Sequence, residues 1–515
     1  MNLVQMLKDS AVRYGEKIAV MHGEHHLSYA ALDAASDRFA TALRASGMSK
    51  GDRVAMLLGN SPELVIVYFG IVKLGAVAVL LDPKYKAAEL LSLLDDCRPR
   101  ALVSETACLD SLTSILAKLQ SIELMVDVST DPPDRYKTLA DFIAPHADPV
   151  EPVQISDNDL AHIAYTSGPS FTPRGVMVSH GNLVKEIQIS AKSFKQGEND
   201  IVVQFALPMH HVIGLVVVTL TSLYCGSNLI ILNGVSTDSL MSTIERHKVT
   251  MFMGVPFIHA MLVSKIEEDG LKHDLSSLRV CASAGDILPT AIVAKYRRLS
   301  KLKLINLYGL TETMGHVTCE PLCGPSKPGS VGPALPGWNI KVVGSSGVEL
   351  PPQHPGEVVI SGHMMTGYYH NPQVTAEVIR DGWLHTGDKG VLDQDGYLYI
   401  LGLQKDMLIC KGQNIFPSDI EHVLSLHPSV AQAAVVGVPD KMRGEVVGAA
   451  VAFKKGTHAS ETALSKFCLE RLANYKAPKY FSFWGSLPET ADGKIDKSAI
   501  KKYFEKRIHY NTKED

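Results

Sequence analysis

The chain has 515 residues, 46% hydrophobic and 20% charged, with a formal net charge of -4. At roughly 150 residues per domain this length calls for three or four packed units, and the charge balance gives no general electrostatic pull toward nucleic acid or an anionic membrane. The eight cysteines include one close pair, Cys319 and Cys323, and no second pair completes a zinc site, so reduced thiols in a cytoplasmic setting are expected.

Met1 to Ser10 lacks the basic start and apolar run of a secretory signal. Behind Ser28, the residues Leu32, Ala35, Phe39 and Leu43 recur at helical spacing until Gly47 stops the run. The runs 54–58 and 77–81 read as buried strands. The most apolar stretch, 64–81, is interrupted by Lys73 and Gly75, so it reads as a helix followed by a strand and not as a membrane span. Ser61-Pro62-Glu63 supplies that helix with an N-cap, a first-turn proline and an acid at its positive end. A second apolar run, 212–223, is too short to cross a bilayer.

Residues from about 200 to 320 repeat the alternation, with strands expected at 228–232 and 251–255 and a helix at 260–267. Strands alternating with helices imply βα units on a largely parallel sheet. Beyond about 325 the character changes to short strands at 340–343, 356–360 and 397–401 between glycine-rich turns, with Asp395-Gly396 as a hairpin signal. From about 406 a compact α+β piece follows, with a helix at 419–426 and strands at 431–436 and 448–453. The polar residues at 402–406, between two apolar runs, suit a hinge.

The densest chemical signal is Tyr165-Thr166-Ser167-Gly168-Pro169-Ser170-Phe171-Thr172-Pro173-Arg174-Gly175-Val176, where hydroxyls, glycines and a cation follow an apolar strand. Freed backbone N–H groups, hydroxyls and a guanidinium can together satisfy the oxygens of a polyphosphate; a surface turn rich in Gly and Pro would look similar. Downstream come Pro208-Met209-His210-His211-Val212-Ile213-Gly214, Asn306-Leu307-Tyr308-Gly309-Leu310-Thr311-Glu312, Gly382-Trp383-Leu384-His385-Thr386-Gly387-Asp388, Lys405-Asp406, and Pro488-Glu489-Thr490-Ala491-Asp492-Gly493-Lys494.

In order and spacing these runs resemble the adenylate-forming superfamily, which holds acyl-CoA synthetases, nonribosomal-peptide adenylation domains and beetle luciferases, over nearly the whole chain. The resemblance implies an α/β fold: a large N-terminal AMP-binding domain, 1–403, of two βαβ-type subdomains plus a small antiparallel unit, then a small mobile α+β lid, 404–515. It implies a two-step reaction in which a carboxylic acid and ATP give an acyl-adenylate and pyrophosphate, and a thiol, most simply coenzyme A, then displaces AMP. ATP, Mg2+ and coenzyme A are the implied cofactors. No nucleic acid is called for, and a homodimer is compatible with the resemblance.

It also assigns roles. Lys494 resembles the lysine that bridges the substrate carboxylate and the α-phosphate, Glu312 the magnesium ligand, Thr311 an α-phosphate contact, and His211 the histidine at the acyl end of the cleft. The triphosphate loop is Thr166, Ser167, Gly168, Ser170, Thr172 and Arg174. Tyr308 resembles the aromatic that stacks on adenine, flanked by Gly309, with Asn306 and Ala284-Gly285-Asp286 around the purine edge; Asp388 would accept the ribose hydroxyls. Lys405 resembles the hinge, and Lys411, Gly412 and Gln413 would line the thiol tunnel. Met209, His210, Val212, Ile213, Val255, Ala282 and Met314 form an apolar set suited to a fatty or alicyclic acid.

Four positions depart from the family pattern: Pro169, Phe171 and Arg174 in the loop, and Leu403 where most members carry an arginine. These changes bear on the rate of adenylation more than on the fold. Three readings stay open: a CoA ligase for a hydrophobic acid, an enzyme loading a carrier protein, and an impaired adenylate- or acyl-binding homologue.

Overall fold

The computed structural model describes residues 1–129, 137–146, 153–167, 173–234, 236–324, 326–403, 407–440, 442–489 and 495–511. It divides into two compact units. The first is Met1–Pro83, Leu94–Thr166 and Arg174–Gln404; the second is Lys84–Leu93, Ser167–Pro173 and Lys405–Asp515.

The first unit is built on two eight-stranded sheets. One runs in the order Gly367–Tyr368, Pro173–Ser179, Leu160–Ser167, Val77–Leu80, Arg53–Leu57, Ala101–Ser104, Leu124–Asp127, Lys137–Thr138. Its central strands are parallel, and Val77–Leu80 and Ala101–Ser104 are buried along their whole length, as strands covered on both faces must be. The split expected within 64–81 is present: helix Pro62–Lys73 precedes strand Val77–Leu80. The Ser61 hydroxyl caps the helix by accepting from Leu64 N at 3.2 Å. Lys73 is tolerated inside because its ammonium lies 2.6 Å from Asp33 and 2.7 Å from Asp37.

The second sheet runs Gly315–Cys319, Leu304–Leu310, Val280–Ser283, Met251–Gly254, Ile201–Phe205, Asn228–Leu232, Ile18–His22, His25–Ser28. It is parallel except at its two edge pairs. The helix expected at 260–267 starts earlier, at Pro256, because proline suits a first helical turn, and ends at Asp269. The apolar run 212–223 is not regular α-helix. Ile213–Leu220 is a π-helix, and the hydroxyls of Thr219 and Thr221 donate at 2.8 Å to the carbonyls five residues back, on Gly214 and Val216. Among the described residues no helix is long and apolar enough to cross a membrane.

The expected antiparallel unit is a sheet of Gly332–Pro333, Tyr397–Leu403, Trp383–Leu392, Gly356–Ser361 and Asn339–Val343, with Ile379–Arg380 beside Trp383–Leu392. At its hairpin Gly396 has φ 78° and donates to Asp393 O at 3.1 Å. The first unit's core is continuous beneath these sheets and includes Phe39, Tyr68, Phe69, Phe205 and Phe252.

In the second unit Gly444–Phe453 is the central strand, antiparallel to Val430–Asp440 and parallel to Tyr480–Trp484, with Leu408–Cys410 and Gln413–Ile415 at one edge. The strands expected at 431–436 and 448–453 are longer than the sequence suggested. Pairing continues through Pro439 opposite Glu445, and the Asp440 carboxylate accepts Met442 N and Arg443 N, each at 3.0 Å, to close the turn. Helix Pro417–Ser425 matches the one expected at 419–426. Buried Lys476 is held by Glu89 at 2.7 Å and Asp419 at 3.3 Å. Its pKa is raised: burial opposes the ammonium, but Tyr85, Glu89 and Asp419 outweigh it.

Candidate active site

Strands Ile201–Phe205, Met251–Gly254, Val280–Ser283 and Leu304–Leu310 are parallel, so their C-terminal ends lie along one edge of the sheet. In open parallel sheets ligands bind at that edge. The turn bearing His211 follows the first strand, Ala284-Gly285-Asp286 follows the third, and Thr311-Glu312 follows the fourth.

The His211 turn is pinned from two sides. Leu207 O accepts from Gln204 Nε2 at 2.5 Å and from Asn60 Nδ2 at 2.8 Å, while Met209 N donates to Asn60 Oδ1 at 2.7 Å. The rings of His210 and His211 lie 4.5 Å apart, and His210 Nε2 is 3.6 Å from the buried Asp82 carboxylate. Around Gly285 the nearest apolar atoms belong to Ile213 and Val255. Met209, Val212, Val255, Ala282 and Met314 are all buried.

Strand Leu304–Leu310 carries Asn306, Tyr308 and Gly309. Tyr308 donates its hydroxyl to Asp388 Oδ2 at 2.7 Å, joining this strand to Trp383–Leu392. Burial, then the Asp388 carboxylate, raise the Tyr308 phenol well above its ordinary value and keep it a donor. Asp388 N donates to Thr386 Oγ1 at 3.0 Å, which orients the carboxylate from below. Asn306 donates to Ser330 O at 3.2 Å, and its Oδ1 is a buried acceptor with no partner among the described residues. Gly309 is required by packing: a Cβ there would stand 1.8 Å from Gly315 O on the neighbouring strand.

Thr311-Glu312-Thr313 forms a single 3-10 turn between strands Leu304–Leu310 and Gly315–Cys319. The Thr313 hydroxyl accepts from Leu310 N at 2.8 Å, and Glu312 O accepts from Met365 N at 2.8 Å. The Glu312 carboxylate is reached by the hydroxyl of Tyr368, 2.6 Å from Oε1. Across the Tyr368 ring lies the Arg174 guanidinium, 5.7 Å from its centroid. Behind the turn, buried Glu186 accepts from His316 N at 3.1 Å and Trp338 Nε1 at 3.3 Å and lies 3.1 Å from His363 Nε2. Burial pushes the Glu186 carboxyl up and His363 down to about 4.

His211, Ala284, Gly285, Asp286, Asn306, Tyr308, Gly309, Thr311, Glu312, Arg174 and Asp388 therefore all belong to the first unit. Thr166 and Ser167 end strand Leu160–Ser167. Gly168, Ser170, Thr172, Lys405 and Lys494, with Pro169 and Phe171, lie outside the described residues. In the second unit Lys411 and Gly412 turn the hairpin between Leu408–Cys410 and Gln413–Ile415, with φ 52° and 79°. Leu403 stands opposite Asp388 in the strand ladder. Tyr368 was not singled out by the sequence. Its only signal is a Gly-Tyr pair 56 residues beyond Glu312.

The sequence profile of AMP-binding enzymes matches residues 7–369, and that of the AMP-binding enzyme C-terminal domain matches 419–494. The chain is 32% identical to a long-chain-fatty-acid–CoA ligase of Bacillus subtilis, covering 96% of this chain and 93% of that one. It is also 32% identical to a feruloyl-CoA synthase of an Amycolatopsis species, covering 94% and 96%. Among solved structures, a doubly substituted o-succinylbenzoate CoA synthetase of Bacillus subtilis bound to a product analogue superposes with TM-score 0.86 at 29% identity, covering 96% and 97%.

Proposed function

The chain belongs to the family of AMP-binding enzymes, and we propose that it is an ATP-dependent ligase that converts a hydrophobic carboxylic acid, a fatty acid by preference, into its acyl-CoA. The observation that carries this reading is that Tyr308 and the Thr311–Glu312 turn follow a strand of the same parallel sheet whose other strands lead into the His211 and Gly285 turns, while Asp388, on the antiparallel sheet, is tied to Tyr308 by a 2.7 Å hydrogen bond. The relatives' names, which span fatty and aromatic acids, support the reaction class more firmly than the acyl group.

The residues present suit the nucleotide and its metal. The buried Asn306 Oδ1 is an acceptor of the kind an exocyclic amine can satisfy. Tyr308 presents a ring, and Asp388 a carboxylate for ribose hydroxyls. Among the described residues no group of three or more His, Cys, Asp or Glu side chains could hold a metal. Mg2+ needs only one or two protein carboxylates beside phosphate oxygens and water. Glu312 would hold it, and a bound Mg2+ would supply neutralisation of phosphate charge.

The first step joins an acid oxygen to the α-phosphorus and breaks the bond to the bridging oxygen of pyrophosphate. Two anions must meet, so the chain's work is positioning and charge compensation. His211 and the buried apolar wall orient the acid and exclude water; Thr311 donates to the α-phosphate; Arg174 meets the phosphate chain; Lys494 bridges the two reactants. In the second step a thiol sulfur attacks the acyl carbonyl and AMP leaves. Lys405 as pivot, and Lys411, Gly412 and Gln413 as the thiol's path, belong to this step.

Pyrophosphate release with ATP and Mg2+ over a panel of fatty and aromatic acids tests the reading. Release with a medium or long fatty acid, and CoA-dependent thioester formation, are the expected results; no release with any acid would leave an acyl- or adenylate-binding protein instead. Lys494→Ala is expected to remove nearly all adenylate formation while sparing thioester formation from supplied acyl-adenylate. Equal losses in both steps would refute its role.

A further inference from the structure

Tyr368 occupies a place that the chemistry above leaves without a purpose. Its strand, Gly367–Tyr368, is antiparallel to Pro173–Ser179 with Tyr368 opposite Val176 and Gly367 opposite Met177. Two flanking bonds extend the ladder, Thr366 N to Met177 O at 2.9 Å and Tyr369 N to Gly175 O at 2.7 Å. This register sets Tyr368 beside the strand that carries Arg174 out of the glycine-rich loop.

The segment is held at nearly every residue. His363 meets Glu186 at 3.1 Å, Met364 O accepts from Asn182 Nδ2 at 2.8 Å, Met365 N donates to Glu312 O at 2.8 Å, and Tyr368 N donates to Thr375 Oγ1 at 2.8 Å. These bonds fix the backbone on either side of Tyr368 and so set where its ring and hydroxyl lie. Here a side chain 2% exposed ends on one oxygen of the carboxylate assigned to the metal, at a charge-assisted distance of 2.6 Å.

We propose that Tyr368 is the positioning residue of the divalent-cation site, a step that rests on reading Glu312 as the metal ligand. A glutamate side chain has three rotatable bonds and two equivalent oxygens, so an unsupported one samples many arrangements that a cation must then select at an entropic cost. The phenol holds one oxygen and leaves the other for the cation. Its ring face seats the Arg174 guanidinium within cation–π range. The metal ligand and the cation that meets the phosphate chain are thus registered against one side chain, which is itself fixed by the sheet edge.

The test compares wild type, Tyr368→Phe and Glu312→Gln in binding α,β-methylene-ATP, which cannot be cleaved at the reacting bond. Affinity is measured with and without Mn2+, and bound Mn2+ is read by its EPR signal, so no turnover is needed. Wild type is expected to gain affinity from Mn2+. Tyr368→Phe should lose about tenfold of that gain, as for one hydrogen bond to a charged group, with metal-free nucleotide affinity changed less than about twofold. In pyrophosphate release the same variant should raise half-saturation for Mg2+ and leave KM for the acid unchanged.

Equal metal dependence in wild type and Tyr368→Phe overturns the proposal. A parallel loss with and without metal also overturns it, because that is the mark of a merely structural residue. If Glu312→Gln binds the metal–nucleotide as wild type does, the assignment of Glu312 fails first and the proposal falls with it. The Glu312→Gln arm thus separates the two failures.

Discussion

A carboxylate earns a role at a nucleotide site by where its hydrogen bonds leave it pointing. Asp388 is buried, takes the Tyr308 hydroxyl on one oxygen, and is braced at its own N–H by Thr386. If it receives the ribose, Asp388→Asn should raise KM for ATP by about ten- to a hundredfold, the range expected from losing charge on one or two hydrogen bonds. KM for the acid should be unchanged; steady-state kinetics with each substrate varied in turn decides it. Asp388, Tyr308 and Glu312 were recognisable as candidates in the sequence because each sits in a short run whose neighbours also carry chemistry. Tyr368 was not, because its meaning comes from the pairing of Gly367–Tyr368 with Pro173–Ser179, a long-range register that no local pattern encodes. Glu186 was hidden for a related reason: a glutamate on a helix normally reads as solvated, and only the fold shows it buried against Trp338 and His363.

Elements with a strong cap or stop signal were read from the sequence almost to the residue, as at Pro62–Lys73 with its Ser61 cap and at Tyr29–Ala45 between Ser28 and Gly47. The π-helix Ile213–Leu220 was not, because a run that is apolar on all sides has no periodicity from which to tell a wider turn from an ordinary one. Its first turn is exacting. A Cβ on Gly214 would lie 2.1 Å from Pro208 O, a backbone atom that cannot swing aside. Gly214→Ala should therefore displace the turn that carries His211, costing about 1–3 kcal/mol of stability and impairing acid binding more than ATP binding. Thermal melts together with KM for each substrate would show it, and an unchanged KM for the acid would argue against His211 facing that substrate. In the second unit Lys476→Ala would remove the buried cation that Glu89 and Asp419 share, and breaking such a pair costs about 3–5 kcal/mol. Chemical denaturation of the full chain measures that loss.

At the scale of the whole molecule the histidines set the acid limit. Burial lowers His162 and His316 to about 3 and His180, His259 and His363 to about 4. In the unfolded chain the same groups protonate near 6.5. The folded form thus keeps them neutral where the unfolded form binds protons, and stability present above about pH 6.5 is lost as pH falls toward 4, by up to about 1.4 kcal/mol per pH unit for each group. His259 offers a clean test, since its Nε2 bonds Ala282 O at 2.9 Å and a glutamine amide can replace that donor. His259→Gln should flatten the stability profile between pH 6.5 and 4.5, whereas parallel profiles would contradict the shift. The α/β class, the late antiparallel unit and the α+β character of the C-terminal part were all visible in the sequence, because alternation of strand and helix is a local property. The pairing order of the two large sheets was not, since adjacency such as Ile18–His22 beside Asn228–Leu232 joins residues some two hundred apart.

The two-residue strand Gly367–Tyr368 also sets how this enzyme breathes. It closes one edge of an eight-stranded sheet and pairs with a single strand by a short ladder, which bonds from Met365 N to Glu312 O and from Tyr368 N to Thr375 Oγ1 reinforce. Even so, an edge strand with no partner on its outer side opens at lower free energy than the strands at the centre of the same sheet. Amide deuteration should accordingly reach Tyr368 and Tyr369 long before Val79 or Leu102 in the centre of the same sheet. Each such opening would release the Glu312 carboxylate, and if Glu312 and Arg174 serve the metal and the phosphate chain as proposed, added nucleotide and Mg2+ should slow that exchange.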